Sequence, residues 1–108
     1  MSVRRLIIDG AKVRDMEDVY DLFVALPDIP DWVGRNPDAL YDTIAMIQEP
    51  TEIDVYDLPA LKQNLRSDYP VFMSILEDSV AASQKSPEYP ALTLSIMDGP
   101  GLARGTGV

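Results

Sequence analysis

Apolar residues recur along this chain with two different periods, and the changes of period divide it into alternating strands and helices. The run Arg5 to Asp9 (R-L-I-I-D) closes on the turn pair Asp9-Gly10 and predicts a first strand. Val19, Leu22, Phe23 and Leu26 then repeat at helical spacing, with Asp15 as the predicted cap and Asp18 three residues later in a capping-box position. The stretch L-P-D-I-P-D-W-V-G-R-N-P holds three prolines and a glycine, so it reads as a loop between two helices. Asn36 is suited to cap the second helix, Pro37 to occupy its first position, and Asp38 to face its positive end. Further on, T-E-I-D-V-Y alternates polar and apolar residues, as a strand around Ile53 to Val55 with one buried face should. A short helix is expected from Pro59 to Leu65. A longer one follows the candidate cap Asp68, with Phe72, Met73, Ile75, Leu76 and Val80 as its apolar face and Lys85-Ser86-Pro87 as its stop. Last, Leu92, Leu94 and Ile96 alternate with Thr93 and Ser95 in a third strand.

Strands separated by helix-containing connections pair in parallel, because long crossovers return the chain in the same direction. The expected fold is therefore α/β: one small domain, a three-stranded parallel sheet packed with about three to four helices. Residues 1–98 form that domain, and 99–108 are read as a flexible Gly-rich tail.

Composition narrows the chemistry. The 108 residues contain no cysteine and no histidine, which removes disulfides, Cys/His zinc sites, thiol catalysis and imidazole acid-base chemistry. No apolar stretch approaches the length of about 20 residues that spans a membrane, and no export signal is evident, so the reading places the protein in the cytoplasm. The formal charge is -9, and between Asp15 and Leu61 twelve acidic residues face Arg35 alone. Such a surface does not bind nucleic acid through its phosphates; it speeds capture of a basic partner instead, unless it serves only solubility.

The second helix carries the most specific pattern. At about 3.6 residues per turn, Leu40, Ile44 and Ile47 form an apolar stripe, while Asp38, Tyr41, Asp42 and Ala45 share another face. Two carboxylates one turn apart on that face suit three roles: a divalent cation site, an acid-base pair, or a plug for a cationic pocket on another protein. The simplest alternative is a solvated helix surface. No third and fourth oxygen ligand stands nearby in sequence, so no metal or cofactor is expected. Trp32 is the sole tryptophan, either an interface anchor or a lid folded over the core. Gly34 is read as needing a positive φ or a close approach of a partner's backbone. Asp28, off the presented face, is expected to act only through the general negative field.

The segments I-I-D-G-A-K-V-R-D-M-E-D-V-Y-D-L-F and L-P-D-I-P-D-W-V-G-R-N-P-D-A-L-Y-D-T-I resemble the barstar family of intracellular ribonuclease inhibitors. The family hallmark is an aromatic-x-G-x-N-x-D-A-L-aromatic-D run, matched here from Trp32 to Asp42. The resemblance extends over roughly residues 3 to 98 and implies the same three-stranded parallel α/β fold. It implies no enzyme activity. It implies a protein that is monomeric when free and binds one basic extracellular ribonuclease or ribonuclease toxin, whether the cell's own or a competitor's, without nucleic acid or membrane. The implied partner-binding residues are Trp32, Val33, Gly34, Arg35, Asn36, Asp38, Tyr41, Asp42 and Ala45, with Asp42 entering the catalytic pocket and Asp38 as second carboxylate. A late-helix acid maps to Asp78, or to Glu77 with the register moved by one. Val33 stands where a second aromatic is usual, and Arg35 where an acidic or neutral residue is common. Two rival readings stand beside this one: an acidic adaptor of the same fold with a non-nuclease partner, and a small magnesium-dependent hydrolase built on Asp38 and Asp42.

Overall fold

The computed structural model describes residues 3–85 and 92–97. Three strands, β1 (Arg4–Asp9), β2 (Thr51–Tyr56) and β3 (Leu92–Ile96), form a parallel sheet in the order β1-β2-β3. Helices α1 (Met16–Val24) and α2 (Pro37–Ala45) lie on the crossover from β1 to β2, and α3 (Leu58–Leu65) and α4 (Asp68–Lys85) on the crossover to β3. The expected α/β fold is the observed one. The proposed tail 99–108 and the helix stop at Ser86-Pro87 lie outside the described residues.

Register fixes what each sheet face carries. Leu6 pairs with Ile53 and Ile8 with Val55, and Ile53 continues to Leu94, so these apolar residues of all three strands share one face. Against that face pack Val19 and Phe23 of α1, Leu40 and Ile44 of α2, Leu61 of α3, and Phe72 and Leu76 of α4. Phe23, Ile8, Ile53, Val55, Leu61, Phe72 and Leu76 are fully buried. Each large side chain buried this way contributes roughly 1.5–3 kcal/mol, and together they fix where the helices sit.

The strand β2 corrects the expectation of a single buried face, since Asp54 and Tyr56 on the opposite face are buried too. As the central strand it has a neighbour on each side. The Arg5 guanidinium reaches across from β1 to the Asp54 carboxylate, its Nε at 2.9 Å, and to the Tyr56 hydroxyl at 3.4 Å. At the edge strand β3 the alternation fades: Leu92 is buried, but Ile96 is exposed.

Helix ends also depart from the sequence reading. Asp15 caps α1 as expected, accepting from the Asp18 N–H, but the Asp18 carboxylate bonds the Arg14 N–H at 2.9 Å, one residue before the position a capping box would use. The helix ends at Val24, so Leu26 packs on the core from beyond it. Asp68 is the first helical residue of α4 and not its cap, placing a negative charge in the first turn where the helix dipole favours it. For α3 the cap is Asp57, in the left-handed region at φ 55° with its side chain accepting from the Ala60 N–H. A Cβ added at Gly10, after β1, would lie 2.3 Å from the Asp57 carbonyl oxygen and 2.8 Å from the Leu61 nitrogen. Only glycine allows the chain leaving β1 to pass that closely under α3.

Candidate functional site

The site is α2 and the loop that leads into it. Asn36 is extended (φ -155°, ψ 166°), and its side chain accepts from the Ala39 N–H at 2.9 Å, so the helix begins at Pro37 as the sequence requires. Leu40, Thr43 and Ile44 are buried, which turns Asp38, Tyr41, Asp42 and Ala45 outward, and all four are exposed. Thr43 makes its buried hydroxyl harmless by donating to the Ala39 carbonyl at 2.7 Å. Ile47, just past the helix, completes the apolar stripe.

The loop side chains divide between outward and inward. Trp32 is 74% exposed, so it is no lid on the core. The lid is Val33, whose buried side chain sits with Tyr20, Phe23, Val24, Leu40 and Thr43 between α1 and α2. A small β-branched residue fits this gap, and its side chain faces the core. Gly34 has no positive φ; its constraint lies within the chain, because an added Cβ would come 3.0 Å from Ala39 Cβ and 3.2 Å from Asn36 Nδ2. Arg35 turns back onto α1, where it bonds Glu17 and Asp21 and lies over the Tyr20 ring.

The charge pattern is sharper than composition suggests. Arg4 pairs with Asp28 and Glu49, Arg5 with Glu52 and Asp54, Arg14 with Asp18, and Arg35 with Glu17 and Asp21. These arginines compensate α1, the sheet and the loop base. Among the described residues no ion pair involves Asp38 or Asp42. Two of the carboxylates left without an ion pair, Asp38 and Asp42, therefore stand one turn apart on the exposed face of α2, which also carries the exposed Tyr41 ring, with the exposed Trp32 in the loop before it. Glu77 and Asp78 are both exposed on α4, and Asp78 lies about opposite the buried stripe of Phe72, Leu76 and Ser79.

Asp28 is a correction. It is no free surface acid: its carboxylate takes both Arg4 Nη1 and Nη2, at 2.8 and 3.0 Å, and the Gln48 N–H at 2.6 Å. The side chain is 11% exposed, and the Arg4 hydrogen bonds, aided by the Gln48 amide, lower its pKa to about 2 against the cost of burial. The pair ties the first residue of β1 to the base of the loop and to the turn after α2. No local signal pairs residue 4 with residue 28; the contact exists only once the sheet register and loop path are known.

No group of three or more metal-ligating side chains occurs among the described residues, and no described helix is long and apolar enough to cross a membrane. What the arrangement can do is present two uncompensated carboxylates and two rings from a rigid helix and its braced loop. No curated protein sequence matches the chain closely. A family model described as Barstar (barnase inhibitor) matches residues 3–95. That span includes every strand but the last residue of β3, all four helices and the loop, and on it the chain belongs to the barstar family.

Proposed function

We propose that this protein inhibits a basic ribonuclease by inserting Asp42 of α2 among the cations of the nuclease active site, with Asp38 as second carboxylate and Trp32, Asn36, Tyr41 and Ala45 at the surrounding contact. The observation that carries this reading is the exposed pair of carboxylates on α2 that no ion pair engages among the described residues, while Arg4, Arg5, Arg14 and Arg35 are paired elsewhere. A ribonuclease must gather positive charge around a scissile phosphate. A carboxylate on a rigid helix mimics that phosphate and offers nothing to cleave, so inhibition follows from occupancy. The acidic field shared by the whole face serves a different step, raising the encounter rate in a way that salt screens.

The test compares two equal changes of charge at different places. Asp42→Asn removes the proposed plug. Asp15→Asn removes one charge from the same acidic half while keeping a good helix cap, since Asn and Asp cap about equally well. Barnase, the nuclease named in the family description, is the probe. Close interfacial charge pairs couple by about 1.5–7 kcal/mol, a scale set by barnase and barstar themselves. Asp42→Asn should weaken the complex by several kcal/mol, mainly through faster dissociation, and Asp15→Asn should lower only the salt-dependent association rate. Equal losses for the two variants at both low and high salt would rule out the plug and leave a merely acidic surface.

A further inference from the structure

Arg35 lies in the middle of the presented loop, yet its guanidinium points away from the exposed face. Its Nε donates to Glu17 Oε1 at 3.0 Å, and its Nη2 donates to the Glu17 carbonyl at 3.0 Å and to Asp21 Oδ1 at 2.6 Å. The guanidinium carbon stands 5.5 Å from the centroid of the Tyr20 ring, within cation–π range. All of these contacts go to α1, where Glu17 and Asp21 are one turn apart and Tyr20, between them, is buried. On either side of Arg35 the chain is fixed by other means, Val33 in the core and Asn36 on the start of α2. Gly34, between them, has no side chain to hold it, so the segment between the core and the helix is held by Arg35.

We infer that Arg35 is a positioning residue for the inhibitory face: a strap from the loop to α1 that orders Gly34 and Arg35, between the core and the start of α2, before a partner arrives. This rests on the inhibitor reading for its consequence in binding, but not for the strap itself. Ordering the loop in the free protein removes a cost that association would otherwise bear. The planar fork is needed, because a lysine ammonium, a compact point charge, does not match two carboxylates and a carbonyl in that geometry beside a ring. The strap also uses the charges of Glu17 and Asp21 within the chain, while Asp38 and Asp42 of α2 stay without an ion pair.

The strap and simple charge attraction make opposite predictions for Arg35→Ala. Arg35→Ala removes a positive charge, so attraction alone would tighten binding to a basic nuclease; the double variant Glu17→Gln with Asp21→Asn removes two negative charges, so attraction alone would loosen it. If the strap acts, both variants loosen the loop and both weaken binding. Backbone 15N relaxation on the uncomplexed full chain is expected to show order parameters for residues 34 and 35 falling from about 0.85 to below about 0.6 in both. The dissociation constant for barnase should rise about tenfold in both, with Arg35→Lys in between. Unchanged order parameters in both variants would overturn the strap, and so would tighter binding by Arg35→Ala. If the parent chain fails to bind barnase, the inhibitor reading fails for that nuclease, while the relaxation data still decide the strap.

Discussion

Replacing Asp28 with Asn should cost the fold about 2–3 kcal/mol at neutral pH, although the residue lies in a proline-rich loop. Its carboxyl has a pKa of about 2 in the folded protein against an ordinary 3.8, chiefly through the Arg4 hydrogen bonds. At about 1.4 kcal/mol for each tenfold change in proton affinity, that difference is worth roughly 2 kcal/mol. The substitution also leaves the Arg4 guanidinium, 18% exposed, with weaker acceptors: Glu49 at 3.7 Å and Thr51 Oγ1 at 3.3 Å. Those remaining contacts keep the loss below the roughly 3–5 kcal/mol typical of breaking a fully buried pair. The sign follows from the lowered pKa: the stabilisation is complete above the unfolded value near 4 and disappears as pH falls through the folded value near 2. Denaturant midpoints of parent and Asp28→Asn, measured from pH 7 downward, should differ most at pH 7 and draw together between pH 4 and 2. Coincident midpoints at pH 7, or a gap that ignores pH, would refute the reasoning.

Asn36→Ala should lower stability by about 0.5–2 kcal/mol through loss of the bond to the Ala39 amide, read as a shift in denaturant midpoint without a change in slope. Gly10→Ala should destabilise by more than about 2 kcal/mol, because the added methyl meets the Asp57 carbonyl and the Leu61 backbone rather than a flexible side chain. A melting temperature for Gly10→Ala within a degree of the parent would show that the approach of β1 and α3 is looser than these distances state.

What was legible in the sequence is what rests on local periodicity and capping. The start of α2, its buried stripe and its exposed acidic face follow from Asn36, Pro37 and the spacing of Leu40 and Ile44, and the structure places them so. The parallel sheet followed from the length of the connections alone. What was not legible depends on contacts between distant residues. Asp54 looked like the polar member of an alternating strand, and only the register, which brings Arg5 near it, accounts for its burial. Val33 looked like a presented loop residue standing where a second aromatic is usual, yet a gap between α1 and α2 receives it. Arg35 looked like a charge on the wrong side of an acidic interface, and its three acceptors lie on a helix 14 and 18 residues earlier in the chain. In each case local chemistry identified the residue as notable, and tertiary position decided its role.

The same carboxylate chemistry appears at Asp28 and Asp42 with opposite energetic consequences, and this contrast separates an acid that serves the fold from one kept for another purpose. Asp28 is paired, partly buried and stabilising. Asp42 is exposed one turn after Asp38, and like charges at that spacing destabilise a helix by about 0.2–0.5 kcal/mol. Asp38 at least gains from the positive end of the helix, but Asp42, a turn further on, lies beyond most of that effect. Folding alone therefore gives no reason for an aspartate at 42. Asp42→Asn should leave the fold as stable or raise it by up to about 0.5 kcal/mol, while Asp28→Asn lowers it, and denaturant titration of both at low ionic strength resolves the difference in sign. If Asp42→Asn destabilises the protein as Asp28→Asn does, Asp42 belongs to the fold, and its place on the exposed face of α2 would no longer point to a partner.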